Sequence, residues 1–346
     1  MSKNTITILF CLLMPALLIA QDCKQKFEEA NNAYFNGKFE LVDELIHECL
    51  NVDLDKSSRL ALLHLAIRNS LMLSNTTKAD EYMKSLLELD PYFIPGDFDP
   101  ILFRKIFESY EIEPVLSYGG TLGMNIPNIV ILRSQSYSSE TNEPSNYQTF
   151  STPLIGITAW WKQFGKLYIS AGLLYQSTKF YQEEIILGYQ LVSSSEQINY
   201  LNIPIQIRTQ TTKRKLNPYL SAGVSCHYLL AANADINHFS IDTDFALPYP
   251  GLPESTVNYN MNKLREKLTL NYIASLGIIT EPAPGYSLEF GLNYEYGLKN
   301  ITNADMRLSD KNLLTRYAYV SDDFTANNLS FTMSIRKDID KPMKRK

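Results

Sequence analysis

Basic charge, cysteine and histidine are all scarce in this 346-residue chain. Its 32 Lys and Arg stand against 37 Asp and Glu, a formal net charge of −5. No basic field is available to gather phosphates, which excludes nucleic acid as a partner. Four Cys and four His include no Cys-x-x-Cys and no cluster at metal-ligand spacing, so no metal or other cofactor is implied. There is no phosphate-binding glycine loop and no EF-hand pattern. Long apolar runs are missing as well. A mean hydropathy of −0.17 rules out a bundle of membrane-spanning helices. The run from Ile6 to Ala20 has about 15 residues, where a spanning helix needs roughly 20. What the chain has in excess is aromatic: 22 Tyr and 16 Phe, most of them after residue 110.

Lys3, the short apolar run and the small residue before Gln21-Asp22 make residues 1–20 an export signal. The competing reading is a retained N-terminal anchor. A lipoprotein is disfavoured, because Asp22 precedes Cys23 where a small residue is required. Export places Cys23, Cys49 and Cys226 in an oxidising compartment. Cys23 and Cys49 flank one helical hairpin and form the candidate disulfide, against the alternative of two half-buried thiols. Cys226 has no partner in its region.

Residues 22–113 read as helical. Phe27, Ala30 and Tyr34, then Leu60, Leu63, Ala66, Ile67 and Leu71, then Met83, Leu86 and Leu87 recur at spacings of three and four. Breaks at Asn36-Gly37, 53–58, Asn75-Thr76 and Asp90-Pro91 divide four helices, and a fifth is expected over 99–110. Each helix pair spans about 34 residues, the tetratricopeptide period. Gly37-Lys38-Phe39-Glu40 and Leu86-Leu87-Glu88-Leu89-Asp90-Pro91 suit that repeat, with a generic small bundle as the alternative. Such pairs stack and present a groove for a peptide or protein. This stretch carries 18 acidic and 10 basic residues, an acidic surface.

After Glu113 the period changes to two. Leu329, Phe331, Met333 and Ile335 alternate with Asn328, Ser330, Thr332, Ser334 and Arg336; Leu288 to Tyr296 and Leu201 to Ile207 do the same. Eight strands are expected, at 114–125, 151–163, 166–178, 197–210, 217–230, 268–280, 286–298 and 326–337. Each is long enough for a tilted crossing of the hydrocarbon layer. The connections alternate: long at 126–150, 179–196, 231–267 and 299–325, short at the three between. Short periplasmic turns and long external loops are the signature of an outer-membrane barrel. Both ends of the barrel then face the periplasm, and the helical domain with them.

A soluble ligand-binding barrel, the rival, would put its polar face nowhere useful. Arg208, Glu289, Glu295 and Arg336 share the minor face with Gln206, Asn271, Asn293 and His227. In a water-filled or ion-paired lumen the two Glu and two Arg form a charge network; in an apolar cavity they would stand unpaired at several kcal/mol each. Tyr118, Trp161, Tyr175, Tyr200, Tyr228, Tyr272, Tyr294 and Tyr296 are placed for interfacial belts. Leu154, Trp160 and Leu174 are read as lumen fillers that close off a wide pore.

Tyr200-Leu201-Asn202-Ile203-Pro204, then Asn217-Pro218-Tyr219 with Gly223 and Tyr228-Leu229-Leu230, resembles the PorT-like outer-membrane β-barrel family. So does Gly119-Gly120-Thr121-Leu122-Gly123-Met124-Asn125. The resemblance covers about 114–337. It implies an eight-stranded barrel in the outer membrane of a Bacteroidetes-type bacterium, in a family whose founding members serve protein secretion and gliding. Residues 22–113 lie outside that pattern.

Chemistry is sparse. Ser225 and His227 point the same way on one strand, yet a spacing of two residues, about 7 Å, argues against direct contact. Glu289 and Glu295 are six residues apart, about 20 Å, too far for a carboxylate dyad. His47, His64 and His238 look isolated. Asp235, Asp242 and Asp244 are a weak calcium candidate.

The expected architecture is therefore α + β multidomain: a signal over 1–20, a periplasmic tetratricopeptide-like domain over 22–113, an eight-stranded antiparallel transmembrane barrel over 114–337 and a basic tail over 338–346. The expected role is non-enzymatic, with outer-membrane lipid around the barrel and a protein or peptide docked on the helices in a secretion or envelope assembly. Two alternatives are a barrel enzyme acting on lipid or lipopolysaccharide, and surface adhesion through exposed stretches at 137–147, Pro248 to Pro253 and 317–319.

Overall fold

The computed structural model describes residues 23–52, 54–136, 146–186, 190–211, 216–240 and 254–344. The expected signal over 1–20, Asp242 and Asp244, Pro248 to Pro253 and most of 137–147 lie outside the described residues. The chain divides into two compact units, 1–114 with 340–346, and 115–339.

The first unit is built from helix–turn–helix pairs. Helix α1 (23–35) turns at Gly37, whose φ of +73° suits a residue without a Cβ, into α2 (Phe39–Leu50). Helix α3 (Lys56–Met72) starts on an Asp55 cap that accepts from Ser58 N at 3.1 Å, and α4 (Thr76–Leu89) on an Asn75 cap that accepts from Lys78 N at 3.1 Å. Helix α5 (Ile101–Glu108) follows. Helix α3 is central: Leu62, Leu65 and Ala66 pack toward α1 and α2, while Leu63, Ile67 and Leu71 pack with Met83, Leu86, Leu87 and Phe103. Cys23 and Cys49 are disulfide-bonded, with Cα atoms 5.5 Å apart. His64 is not isolated; its ring nitrogen lies 2.8 Å from Asp99.

The second unit is a strand-rich, barrel-like sheet. Ten strands are present among the described residues where eight were expected: β1 (Tyr110–Arg133), β2 (Asn146–Phe150), β3 (Thr152–Phe164), β4 (Leu167–Ile186), β5 (Gln190–Gln210), β6 (Leu216–Ser240), β7 (Glu254–Asn260), β8 (Leu268–Ala283), β9 (Tyr286–Gly297) and β10 (Asp323–Lys344). The pairings run β2-β4-β3-β1-β10-β9-β8-β6-β5, and β4 also pairs with β5. Eight of the strands thus follow a closed circuit, while β2 and β7 hang as short additions on β4 and β6. The expected long loops are largely strand. Residues 127–133, 179–186, 190–196 and 231–240 continue their hairpins. The segment read as a basic tail also continues β10, to Lys344.

The continuation was hidden by a reversal of polarity. Along β5 the buried row reads Arg208, Gln206, Asn202, then Tyr200, Ile198; the outer row reads Ile207, Ile205, Ile203, Leu201, then Asn199, Gln197. Strand β10 does the same, with Asn328, Ser330 and Ser334 inside the lower half and Phe324 and Ala326 inside the upper. On β6 a register shift opposite Asn199 and Tyr200 moves the inward row from Ser225, His227 and Leu229 to Ala232, Ala234 and Ile236. The lower tier is apolar outside and polar inside. The upper tier is a cap with the opposite order.

That cap has its own core. Phe180, Ile198, Tyr200, Ile236, Leu264, Tyr317, Tyr319 and Phe324 are buried together, with helix α6 (Lys311–Tyr317) folded against the strands. Tyr200 is therefore a core residue at 2% exposure and not part of an interfacial belt. Tyr317 and Tyr319 are likewise buried, which removes 317–319 as an exposed binding loop. Tyr118, Tyr175, Tyr228, Tyr272, Tyr294 and Tyr296 are exposed on the outer wall.

Candidate functional site

Three buried polar clusters stack along the axis of the second unit. The lowest joins β5, β9 and β10. Arg208 grips Glu289 with both terminal nitrogens, at 2.8 and 2.6 Å, and Arg336 Nη1 reaches the same carboxylate at 3.1 Å. Arg336 Nε also donates to Ser287 Oγ at 3.1 Å. The Arg208 guanidinium stacks 3.8 Å from the Tyr219 ring centroid, and Arg336 lies 4.7 Å from that of Trp160. Alternation on each strand points these side chains inward, and cross-strand pairing of Ser334 with Glu289 sets their height.

Glu295 belongs to a second cluster and not to the arginine network. Asn202 Nδ2 donates to its Oε1 at 2.9 Å, and Gln176 and Asn328 donate to its Oε2 at 3.3 Å each. His227 Nε2 is 3.3 Å from the same oxygen, and Asn271 Nδ2 is 3.0 Å from that nitrogen. The six-residue step from Glu289 to Glu295 along β9 separates the two carboxylates, so each is neutralised by a different set of strands.

Ser225 and His227 do meet, contrary to the expectation from backbone spacing: Ser225 Oγ lies 3.5 Å from His227 Nε2. The ring leans along the strand and closes the gap that the Cα positions leave. The wiring is nevertheless wrong for a hydrolase. A triad presents its nucleophile to one ring nitrogen and its acid to the other, whereas Ser225 and Glu295 both face Nε2. All three side chains are buried. A cavity of about 50 Å3 lies among Thr121, Trp160, Asn202, Gln206, Glu289 and Glu295. It has room for one or two waters. Leu154, Trp160 and Leu174 are buried and line it.

The third cluster lies in the cap and was missed. Arg265 Nε donates to Glu196 Oε1 at 2.6 Å, and its Nη2 donates to Glu196 Oε2. Arg265 Nη1 donates to Thr302 Oγ1 at 3.0 Å and Ser321 Oγ at 2.6 Å. Neither charged side chain is exposed. Burial works to lower the Arg265 pKa, but the Glu196 carboxylate outweighs it and the guanidinium is held above its ordinary value. Both residues fell in segments read as loops. The one available signal was the row Val192, Ser194, Glu196, Ile198, Tyr200, a period of two that carries on from β5. Asp235 sits on the outer row of β6 and accepts from Asn258 N at 2.7 Å. Among the described residues no group of three or more His, Cys, Asp or Glu could hold a metal.

A closed circuit of antiparallel strands, apolar on its outer wall and packed with ion pairs inside, defines a protein of the outer-membrane barrel class. The model of the outer membrane protein beta-barrel domain matches residues 114–303, and the chain belongs to that family. Among solved structures, Neisserial surface protein A is 10% identical, covering 66% of this chain and 99% of its own, with a TM-score of 0.31. OprG of Pseudomonas aeruginosa is 8% identical, covering 65% and 95%, with a TM-score of 0.33. Ail, the attachment invasion locus protein of Yersinia pestis, is 8% identical, covering 65% and 99%, with a TM-score of 0.27. Among curated proteins none matches significantly.

Proposed function

We propose that this is a non-enzymatic, two-part outer-membrane protein of PorT-like type. In this reading β1, β3, β4, β5, β6, β8, β9 and β10 form an eight-stranded transmembrane barrel. The tetratricopeptide-like helices stand on the periplasmic side and dock a protein or peptide, in a secretion or envelope assembly. The observation that supports it best is the reversal of side-chain polarity along β5 and β10. A band apolar outside and ion-paired inside suits hydrocarbon, while a soluble barrel would expose the same wall to water. Strand β1 starts and β10 finishes at the end of the circuit that carries the short turns, which faces the periplasm in this class.

The same clusters argue against a channel. Arg208, Glu289 and Arg336 fill the lower lumen, and the cap core closes the upper one. A lipid-directed enzyme is disfavoured by the shared approach of Ser225 and Glu295 to one nitrogen of His227. A second reading, binding at the cell surface, has one observation behind it. Strand β6 runs for 25 residues, more than twice what a tilted crossing needs, and the surplus builds the cap.

The test is in two parts. The full chain should fractionate with the outer membrane and show heat-modifiable gel mobility; a soluble periplasmic product would sink the architecture. In-cell cross-linking should then capture a specific partner that is lost when the groove residues Arg59, Tyr82 and Glu88 are changed to Ala. Capture of the same partner regardless of these changes would reject docking on the helices.

A further inference from the structure

The densest run of exposed apolar side chains in the helical unit lies just before the first strand, while Phe35, Leu41, Met72 and Leu73 are exposed elsewhere on the helices. Phe98 is 96% exposed, Ile94 82% and Ile101 76%, and Tyr92 and Leu102 are exposed beside them in sequence. This segment is held firmly. Phe93 turns inward, its ring centroid 6.2 Å from Phe103 and 5.8 Å from His64. Asp99 ties the loop down twice, accepting from Gly96 N at 2.8 Å and contacting His64 at 2.8 Å. Arg104 Nη2 donates to the carbonyls of Gly96 and Asp97, at 3.1 and 2.7 Å. The fold thus tucks in one aromatic and, with the same hydrogen bonds, presents Ile94, Phe98 and Ile101 outward. Water gains nothing from this, so the patch needs an apolar occupant.

Chain continuity identifies it. Helix α5 ends at Glu108 and β1 begins at Tyr110, so one residue separates them. Helical rise over α5 and strand rise from Tyr110 to the wall residue Tyr118 together limit the tether to roughly 40 Å. Over that distance the lipid around the barrel is present at a far higher effective concentration than any diffusing protein. Charge along the segment is mixed: Arg104 and Lys105 on α5 stand with Glu108 at its end and with Asp97 and Asp99 in the loop before it. Leu102 and Lys105 line one shallow groove with Lys344.

We propose that Ile94, Phe98, Ile101 and Leu102 form a monotopic membrane contact. They dip into the phospholipid leaflet on the periplasmic side, with Arg104 and Lys105 at headgroup level. The inference rests on the periplasmic placement of the helices proposed above. A patch of this kind orients the helical unit on the membrane and leaves the groove around Arg59, Tyr82 and Glu88 free for a partner.

The experiment uses the full chain with Cys226→Ser, folded into nanodiscs of phosphatidylethanolamine and phosphatidylglycerol. A spin label is placed at Phe98→Cys or, as a solvated control, at Glu44→Cys. The label at 98 should collide with oxygen in preference to a water-soluble nickel chelate, and the label at 44 should show the reverse. Adding Ile94→Ser and Ile101→Ser should return the label at 98 to nickel access while heat-modifiable mobility of the barrel is kept. Equal nickel access at both positions in nanodiscs would overturn the lipid contact. Protection of position 98 only in native envelopes would also overturn it, in favour of a protein occupant. Labelling of Glu44→Cys on intact cells by an impermeant thiol reagent would instead overturn the periplasmic placement, which separates the two failures.

Discussion

Replacing Glu196 by Gln keeps the shape of the cap but removes the charge that faces Arg265. The guanidinium would then be fully buried with two hydroxyl partners, Thr302 and Ser321, and one amide oxygen. Removing one member of a buried ion pair costs about 3–5 kcal/mol, whereas replacing both by apolar residues of similar volume is often neutral. The cost should be local, because Glu196 and Arg265 bridge β5 to the segment before β8 and lie above the lumen clusters. Native-state hydrogen exchange of the folded protein in detergent is the assay. Amides of 190–198 and 261–267 should exchange about two to four powers of ten faster in Glu196→Gln and in Arg265→Met, since each 1.4 kcal/mol is tenfold. Amides of 219–227, lower on β6, should be unchanged. The double variant Glu196→Leu with Arg265→Met should recover most of the protection. A change of less than tenfold in the single variants, or a double variant as damaged as the sum of the singles, would refute the view that this pair holds the cap closed.

Further outcomes follow from the lumen and the helical caps. Arg336→Gln leaves the two-pronged Arg208–Glu289 bond intact, whereas Arg208→Gln breaks it; the second should lower the urea midpoint of refolded protein clearly more than the first, and equal effects would reject the pairing hierarchy. Gly223→Ala places a Cβ 2.0 Å from the carbonyl oxygen of Ile205 and 2.7 Å from Gln206 Cα. That clash is with backbone, so the variant should lose its heat-modifiable folded band, while the open Gly120→Ala should keep it. Hydrogen bonds from Ser57 and Ser58 hold the Asp55 carboxyl down to about 2 from an ordinary 3.8. A depressed folded-state pKa contributes stability that is present above the ordinary value and lost as pH falls through about 2. Protection at the start of α3 should therefore decline between pH 4 and 2, and Asp55→Asn should flatten that decline.

Much of the fold is legible because it is written in short-range periods. The change from spacings of three and four to spacings of two near residue 113 marks where helices give way to strands. Arg208, Glu289 and Arg336 stand on the polar side of an alternation that any reader can trace. What was hidden is the upper half of the barrel. When Ile198 and Tyr200 replace Asn202 and Gln206 in the inner row, the period stays at two but the faces exchange polarity, and the pattern looks like an end. On β6 the register shift opposite Asn199 and Tyr200 adds a change of phase, so Asn233, Asp235 and Asn237 resemble a polar loop.

The sequence by itself determined where helices give way to strands, the eight lower-tier strands and the polar row that needs a lumen. These depend on the backbone geometry of helix and strand, which acts over a few residues. Only the tertiary structure decided which charges pair. Glu289 and Glu295 share one face of one strand, yet strand tilt and register bring Arg208 and Arg336 to the first and His227 to the second. It also decided that Glu196 meets Arg265, 69 residues away in sequence, inside an apolar cap. Such pairings depend on distances across the closed sheet, and no local period records them.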